Sequence, residues 1–168
     1  TFRHEKLKVE ERIPPARRYI AENKLNEQFG DPNGEVGIIV QGGLYNTLIR
    51  SLQQFGAADA FGTPAVPLLV LNVTFPLVPE EVTAFCAGKR AVMIIEEGQP
   101  EYIEQEIATM LRRRDLNTAL HGKDMMPAVG ECTAEAMVDA LGAFLGQYQS
   151  HPGVASARAW LDANTELR

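Results

Sequence analysis

Three short apolar runs constrain this chain more than any other feature. Val36-Gly37-Ile38-Ile39-Val40, Val66 to Val73 and Ala91 to Ile95 are almost continuously hydrophobic and bounded by turn residues. A strand that reads this way is covered on both faces, as in a parallel sheet. The segments between them have helical periodicity. Leu44, Leu48, Leu52 and Phe55 share one side of a helix over 44–55 that Gly56 stops. Pro79 precedes Glu80-Glu81 and opens a helix to about Ala87, closed by Gly88. Pro100 begins another, to about Arg114, and Thr133 heads a last one to about Tyr148. Asn117 to Leu120 is a short fourth strand. Strands alternating with helices of this length form βαβ units, so the chain reads as an α/β domain with helices on both faces of a mostly parallel sheet.

The flanks differ. Thr1 to Arg12 is polar and charged and reads as a linker. Pro14-Pro15 then open a helix whose apolar face is Ile13, Ala16, Tyr19, Ile20 and Leu25. After His151-Pro152-Gly153, Val154 to Leu167 is a weakly amphipathic tail helix. The boundaries are therefore 1–12 linker, 13–150 domain and 151–168 tail. At 168 residues the chain holds one domain. Thr1 to Glu5 carry no apolar signal-peptide core, and the chain starts without an initiator Met, so it reads as an excised piece of a longer protein or one with a processed start.

Charge and cysteine count exclude several classes. A net charge of −6 argues against a general nucleic-acid binder. The longest apolar stretch, Ala65 to Val78, is broken by Pro67, Asn72, Thr74 and Pro76 and is too short for a membrane span. Cys86 and Cys132 are too few for a disulfide scaffold or a cysteine-ligated iron–sulfur cluster and fit a reducing, cytoplasmic setting. His4, His121 and His151 lie too far apart in sequence to suggest a metal site.

Two junctions are candidates for chemistry. Gly42-Gly43 follows a strand and precedes a helix, where backbone amides can meet an anion, yet the motif is neither G-x-G-x-x-G nor a P-loop. The alternative is a tight turn that needs positive φ. Glu96-Glu97-Gly98 follows the third run, at a strand end where open α/β sheets place ligands. Adjacent carboxylates on a strand point to opposite faces, so they are not a catalytic dyad, and one can instead meet a helix N-terminus. If the strands are parallel, Gly42, Gly43 and Glu97 share one sheet edge, with Tyr45 in the first turn of the next helix. These four are the candidate crevice or interface residues. No catalytic residue and no metal ligand is expected.

Four segments in order resemble one family. They are Gly37-Ile38-Ile39-Val40-Gln41-Gly42-Gly43-Leu44-Tyr45, Asn72-Val73-Thr74-Phe75-Pro76-Leu77-Val78-Pro79, Ile94-Ile95-Glu96-Glu97-Gly98-Gln99-Pro100 and Met126-Pro127-Ala128-Val129-Gly130-Glu131. The family is the thiamine-diphosphate-dependent 2-oxoacid:ferredoxin oxidoreductases, in particular indolepyruvate ferredoxin oxidoreductase at its large subunit. The region resembles the transketolase C-terminal domain. The resemblance implies a three-layer α/β/α fold with a five-stranded sheet whose first strand is an antiparallel edge. Leu25 to Phe29 is the segment that would supply it. It also implies a parent enzyme that turns aryl 2-oxoacids into acyl-CoA with thiamine diphosphate, iron–sulfur clusters and coenzyme A. This chain lacks the Gly-Asp-Gly thiamine motif and the Cys-x-x-Cys-x-x-Cys run. The expectation is thus a non-catalytic structural and subunit-contact domain that binds no cofactor itself, self-associates or packs on the parent's other domains and subunits, and touches neither nucleic acid nor membrane. The alternatives are a nucleotide or coenzyme A binding module and a stand-alone flavodoxin-like domain.

Overall fold

A computed structural model describes residues 1–148, and the tail expected at 151–168 lies outside the described residues. A five-stranded sheet organises the chain, in the order β1-β3-β2-β4-β5. The strands are β1 (Glu27–Phe29), β2 (Val36–Gln41), β3 (Leu68–Leu71), β4 (Ala91–Ile95) and β5 (Ala119–His121). β1 pairs antiparallel with β3, and all other pairs are parallel. The edge strand supplied by 25–29 is therefore present, and the mixed three-layer architecture is the one expected.

β2, β3 and β4 are buried on both faces. Alternate residues feed two cores. Val36, Ile38, Val40, Met93 and Ile95 face α3 (Tyr45–Gln54) and α6 (Ala134–Tyr148). Ile39, Leu69, Leu71, Val92 and Ile94 face α4 (Pro79–Cys86) and α5 (Tyr102–Arg113). These four helices divide two and two between the faces, which is why the central runs lack polar alternation.

Element ends shift slightly from the sequence reading. β3 begins at Leu68, after Pro67, whose carbonyl still accepts from Ile38 N–H; proline has no N–H for a ladder. β5 lies about two residues later than the 117–120 segment. The largest difference is upstream. Phe2–Lys6 (α1), a π-helical stretch Leu7–Arg12 and α2 (Ile13–Glu22) follow one another without a break. No residue of the first twelve is buried. Helical i,i+4 contacts such as Lys6–Glu10 at 3.9 Å accompany this segment. Leu25 falls beyond the helix, since Asn23 ends it and Lys24 takes a positive φ of 50°. Arg17 anchors α2 by donating from Nε to the Leu77 carbonyl at 2.8 Å.

Candidate functional site

The order of the strands creates one crevice. β2 is followed by α3 on one face, and β4 is followed by α5 on the other. β2 and β4 are neighbours, so their chains leave the C-terminal edge in opposite directions. Ligands of open α/β sheets bind at such a switch point. Here the crevice is lined by Gln41, Gly42, Gly43, Asn72, Thr74 and Glu97, with a volume of about 430 Å³. It joins, through Gln41, Thr74 and Glu97, a larger cleft of about 620 Å³ walled by Phe75, Gly98, Pro100, Tyr102 and Glu106.

Three of the four sequence-predicted residues meet there: Gly42, Gly43 and Glu97. Tyr45 does not. It turns toward the sheet and packs on Phe29, ring centroids 5.5 Å apart, at the margin of the α3/α6 core. The first turn of a helix offers both directions, and the aromatic ring follows the apolar one.

The glycine pair has a different cause from the positive φ expected of a tight turn. Neither glycine is among the positive-φ residues, and Gly42–Leu44 is a 3₁₀ turn. Gly42 is small because Asn72 lies against it: a Cβ there would stand 2.5 Å from Asn72 Oδ1. Asn72 is held in turn by its Nδ2, which donates to the Leu25 carbonyl and to Glu27 Oε2, both at 2.9 Å. The contact ties the β2 end to edge strand β1. Gly43 has nothing within 4 Å of such a Cβ.

The two glutamates part to opposite faces, as their adjacency dictates. Glu96 is buried and turns to the N-terminus of α5. Its carboxylate accepts from Ile103 N–H at 3.0 and 3.1 Å and from Glu104 N–H at 3.2 Å. It satisfies amides that the first helical turn leaves without partners. Glu97 turns to the α6 side, where Oε1 accepts from Cys132 N–H at 2.8 Å. Its own N–H donates to Gln41 Oε1 at 2.9 Å, bridging the ends of β4 and β2 across the crevice. So the helix-meeting carboxylate is Glu96, and Glu97 fastens the loop before α6.

The chemistry available is limited. Burial raises the Cys132 thiol above its ordinary range, the Glu97 carboxylate adds to this, and Lys123 only partly offsets both. A reactive cysteine needs the opposite shift. The α5 N-terminus, a natural seat for a phosphate, holds this chain's own Glu96 carboxylate and does not fit one. Among the described residues no three His, Cys, Asp or Glu side chains cluster to hold a metal ion, and no helix is long and apolar enough to cross a membrane.

Sequence reasoning missed two features. Lys123 Nζ donates to the Glu96 carbonyl at 2.7 Å, pinning the β5–α6 loop under the same edge. His121 sits between Asp124 (Nδ1 to Oδ2, 2.6 Å) and Tyr148 (Nε2 to the hydroxyl, 2.6 Å). Asp124 is three residues from His121, a visible spacing, but Tyr148 reaches the ring from the far end of α6 and no local signal marks it. This chain of bonds lies away from the crevice and clasps the last turn of α6 to β5.

No protein-family model matches the chain. Similar proteins are named indolepyruvate oxidoreductase subunit IorA. The one from Thermococcus kodakarensis is 31% identical over 136 residues, covering 81% of this chain and 20% of that protein. The one from Pyrococcus abyssi is 29% identical over 79% of this chain and 21% of that protein. The one from Methanothermobacter marburgensis is 25% identical over 92% of this chain and 24% of that protein. The chain spans about a fifth of the length of the curated relatives it matches.

Proposed function

Because the chain belongs with the indolepyruvate oxidoreductase IorA family, matching about a fifth of those subunits, we propose that it is a non-catalytic contact domain of a multisubunit 2-oxoacid oxidoreductase. Residues 13–150 form the domain, with 1–12 as a helical linker and 151–168 as a tail. The parent's conversion of an aryl 2-oxoacid to acyl-CoA, with thiamine diphosphate, iron–sulfur clusters and coenzyme A, takes place in other parts of the assembly. This domain holds subunits or neighbouring domains, including further copies of itself, in register.

One observation carries the reading. At the switch point where a ligand would bind, most polar groups are already engaged by the chain itself: Glu96 on α5, Glu97 through one oxygen on Cys132 N–H, and Gln41 on Glu97 N–H. No nucleophile with an activating base stands among them. The test is turnover. The purified chain, supplied with indolepyruvate, coenzyme A, thiamine diphosphate and oxidised ferredoxin, yields no reduced ferredoxin. Steady reduction by the chain alone would overturn the proposal.

A second reading, a nucleotide or coenzyme A module, draws on the start of α3. No side chain caps it, and its glycines face the 430 Å³ crevice. Equilibrium dialysis with coenzyme A separates the two: saturable binding that Gly42→Val abolishes favours the module.

A further inference from the structure

Several exposed apolar side chains lie on and around the 620 Å³ cleft, while Phe61 is exposed elsewhere, between α3 and β3. Phe75 and Tyr102 are 61% and 68% exposed and both wall the 620 Å³ cleft. Val129, 80% exposed, follows Ala128, whose carbonyl accepts from the side-chain amide of Gln99 on the cleft rim. Val9 is also exposed, and its neighbour Lys8 places its ammonium 5.2 Å from the Phe75 ring centroid. The apolar surface thus continues from the N-terminal helix over the cleft to the loop before α6. A small ligand filling the cleft would leave Val129 and Val9 in water. Apolar surface spread this way marks a macromolecular contact.

The charge of the cleft points to the partner. Glu96, Glu97 and Glu106 line it and, among the described residues, no Lys, Arg or His does, although Lys123 reaches the Glu96 carbonyl at its rim. Glu96 is spent on α5, and Glu106 has Arg17 at 3.9 Å. Glu97 has Oε1 on Cys132 N–H, and its Oε2 has no hydrogen bond among the described residues. A cation entering a cleft walled by aromatic rings and a carboxylate is attracted by both kinds of group. Lys8 over Phe75 is that chemistry already made once within the chain.

We infer that this edge of the sheet is the docking face for a neighbouring subunit of the oxidoreductase, which inserts an Arg or Lys flanked by apolar side chains into the cleft walled by Phe75 and Tyr102, toward Glu97. The inference rests on the contact-domain reading and adds the face and the chemistry of the partner. Buried aromatic and Arg contacts of this kind dominate interface energies.

The experiment uses the protein expressed from its whole reading frame together with the subunits that co-purify with it. Hydrogen exchange is compared between the assembly and the same material dissociated by dilution. Slower exchange on assembly in 72–76 and 96–104 is expected. Phe75→Ala with Tyr102→Ala weakens assembly at least tenfold, and Glu97→Gln, which keeps an oxygen for Cys132 N–H, weakens it about tenfold at low salt and less at high salt. The melting temperature of the chain itself stays unchanged in the aromatic pair, since both side chains are exposed. If assembly forms with unchanged affinity in these variants and protection falls elsewhere, the face is wrong while the contact-domain reading stands. If no segment of the chain is protected in the assembly, that reading fails as well. If protection of the face requires only a second copy of the chain, the partner is misassigned and the inference is overturned.

Discussion

Removing the Glu96 carboxylate tests whether this residue is structural. In Glu96→Ala two backbone amides, of Ile103 and Glu104, lose their acceptor at the start of α5, and Ile103 is itself buried. Hydrogen bonds to a charged group are worth about 1.5–3 kcal/mol each, and losing a helix N-cap costs about 0.5–2 kcal/mol. These figures overlap in what they count, so the net loss is about 2–4 kcal/mol. For a domain of this size about 1 kcal/mol moves the melting temperature by about 2–4 °C. The expected fall is about 5–15 °C, read by far-ultraviolet circular dichroism. Glu96→Gln keeps an acceptor without the charge and loses about half as much. Glu97→Ala frees a single, partly buried amide at Cys132 and costs about 1 kcal/mol. A Glu96→Ala shift below 2 °C, or a larger loss in Glu97→Ala than in Glu96→Ala, refutes the assignment of the two faces.

Other outcomes follow from the same geometry. Gly42→Ala drives a Cβ against Asn72 and loosens β1, costing about 1–2 kcal/mol in a urea titration, while Gly43→Ala is neutral within about 0.5 kcal/mol because nothing lies within 4 Å. Asp124 is pushed up by burial, but the His121 bond and the Gly122 N–H outweigh this and hold it below its ordinary 3.8. A depressed carboxylate stabilises the fold above its unfolded value, and that contribution disappears as pH falls through the folded one. The urea midpoint of the wild type therefore drops more steeply below about pH 4 than that of Asp124→Asn, and parallel curves would contradict this. Burial pushes the Cys86 thiol up to about 12, with Lys89 pulling slightly the other way. At pH 8, then, a disulfide reagent modifies Cys86 only as the protein unfolds, and labelling at native rates equal to those in denaturant would rule out its burial.

The fold was legible where local chemistry agrees with tertiary context. β4 and all of β2 but its last residue, Gln41, are without polar side chains because both faces are covered. β1 was legible only through family resemblance: Glu27-Gln28-Phe29 has no strand pattern, since it is a three-residue edge with two exposed positions. The shared edge of Gly42, Gly43 and Glu97 follows from parallel strands alone. What each group does there was not legible. Which glutamate meets α5 depends on strand parity, and the cause of Gly42 depends on Asn72, thirty positions away and brought near by β3 pairing with β2. The helical state of 2–12 was hidden too, because a segment without a buried face carries no hydrophobic period to read.

As a contact domain, this chain serves the enzyme by holding its parts together. Specific activity of the assembled oxidoreductase carrying Phe75→Ala and Tyr102→Ala, measured against protein concentration, tests it directly. Activity is predicted to be low in dilute enzyme and to return to the wild-type value once concentration exceeds the weakened dissociation constant. Activity that stays low when the subunits are fully assembled would contradict the claim and make the cleft part of the reaction itself.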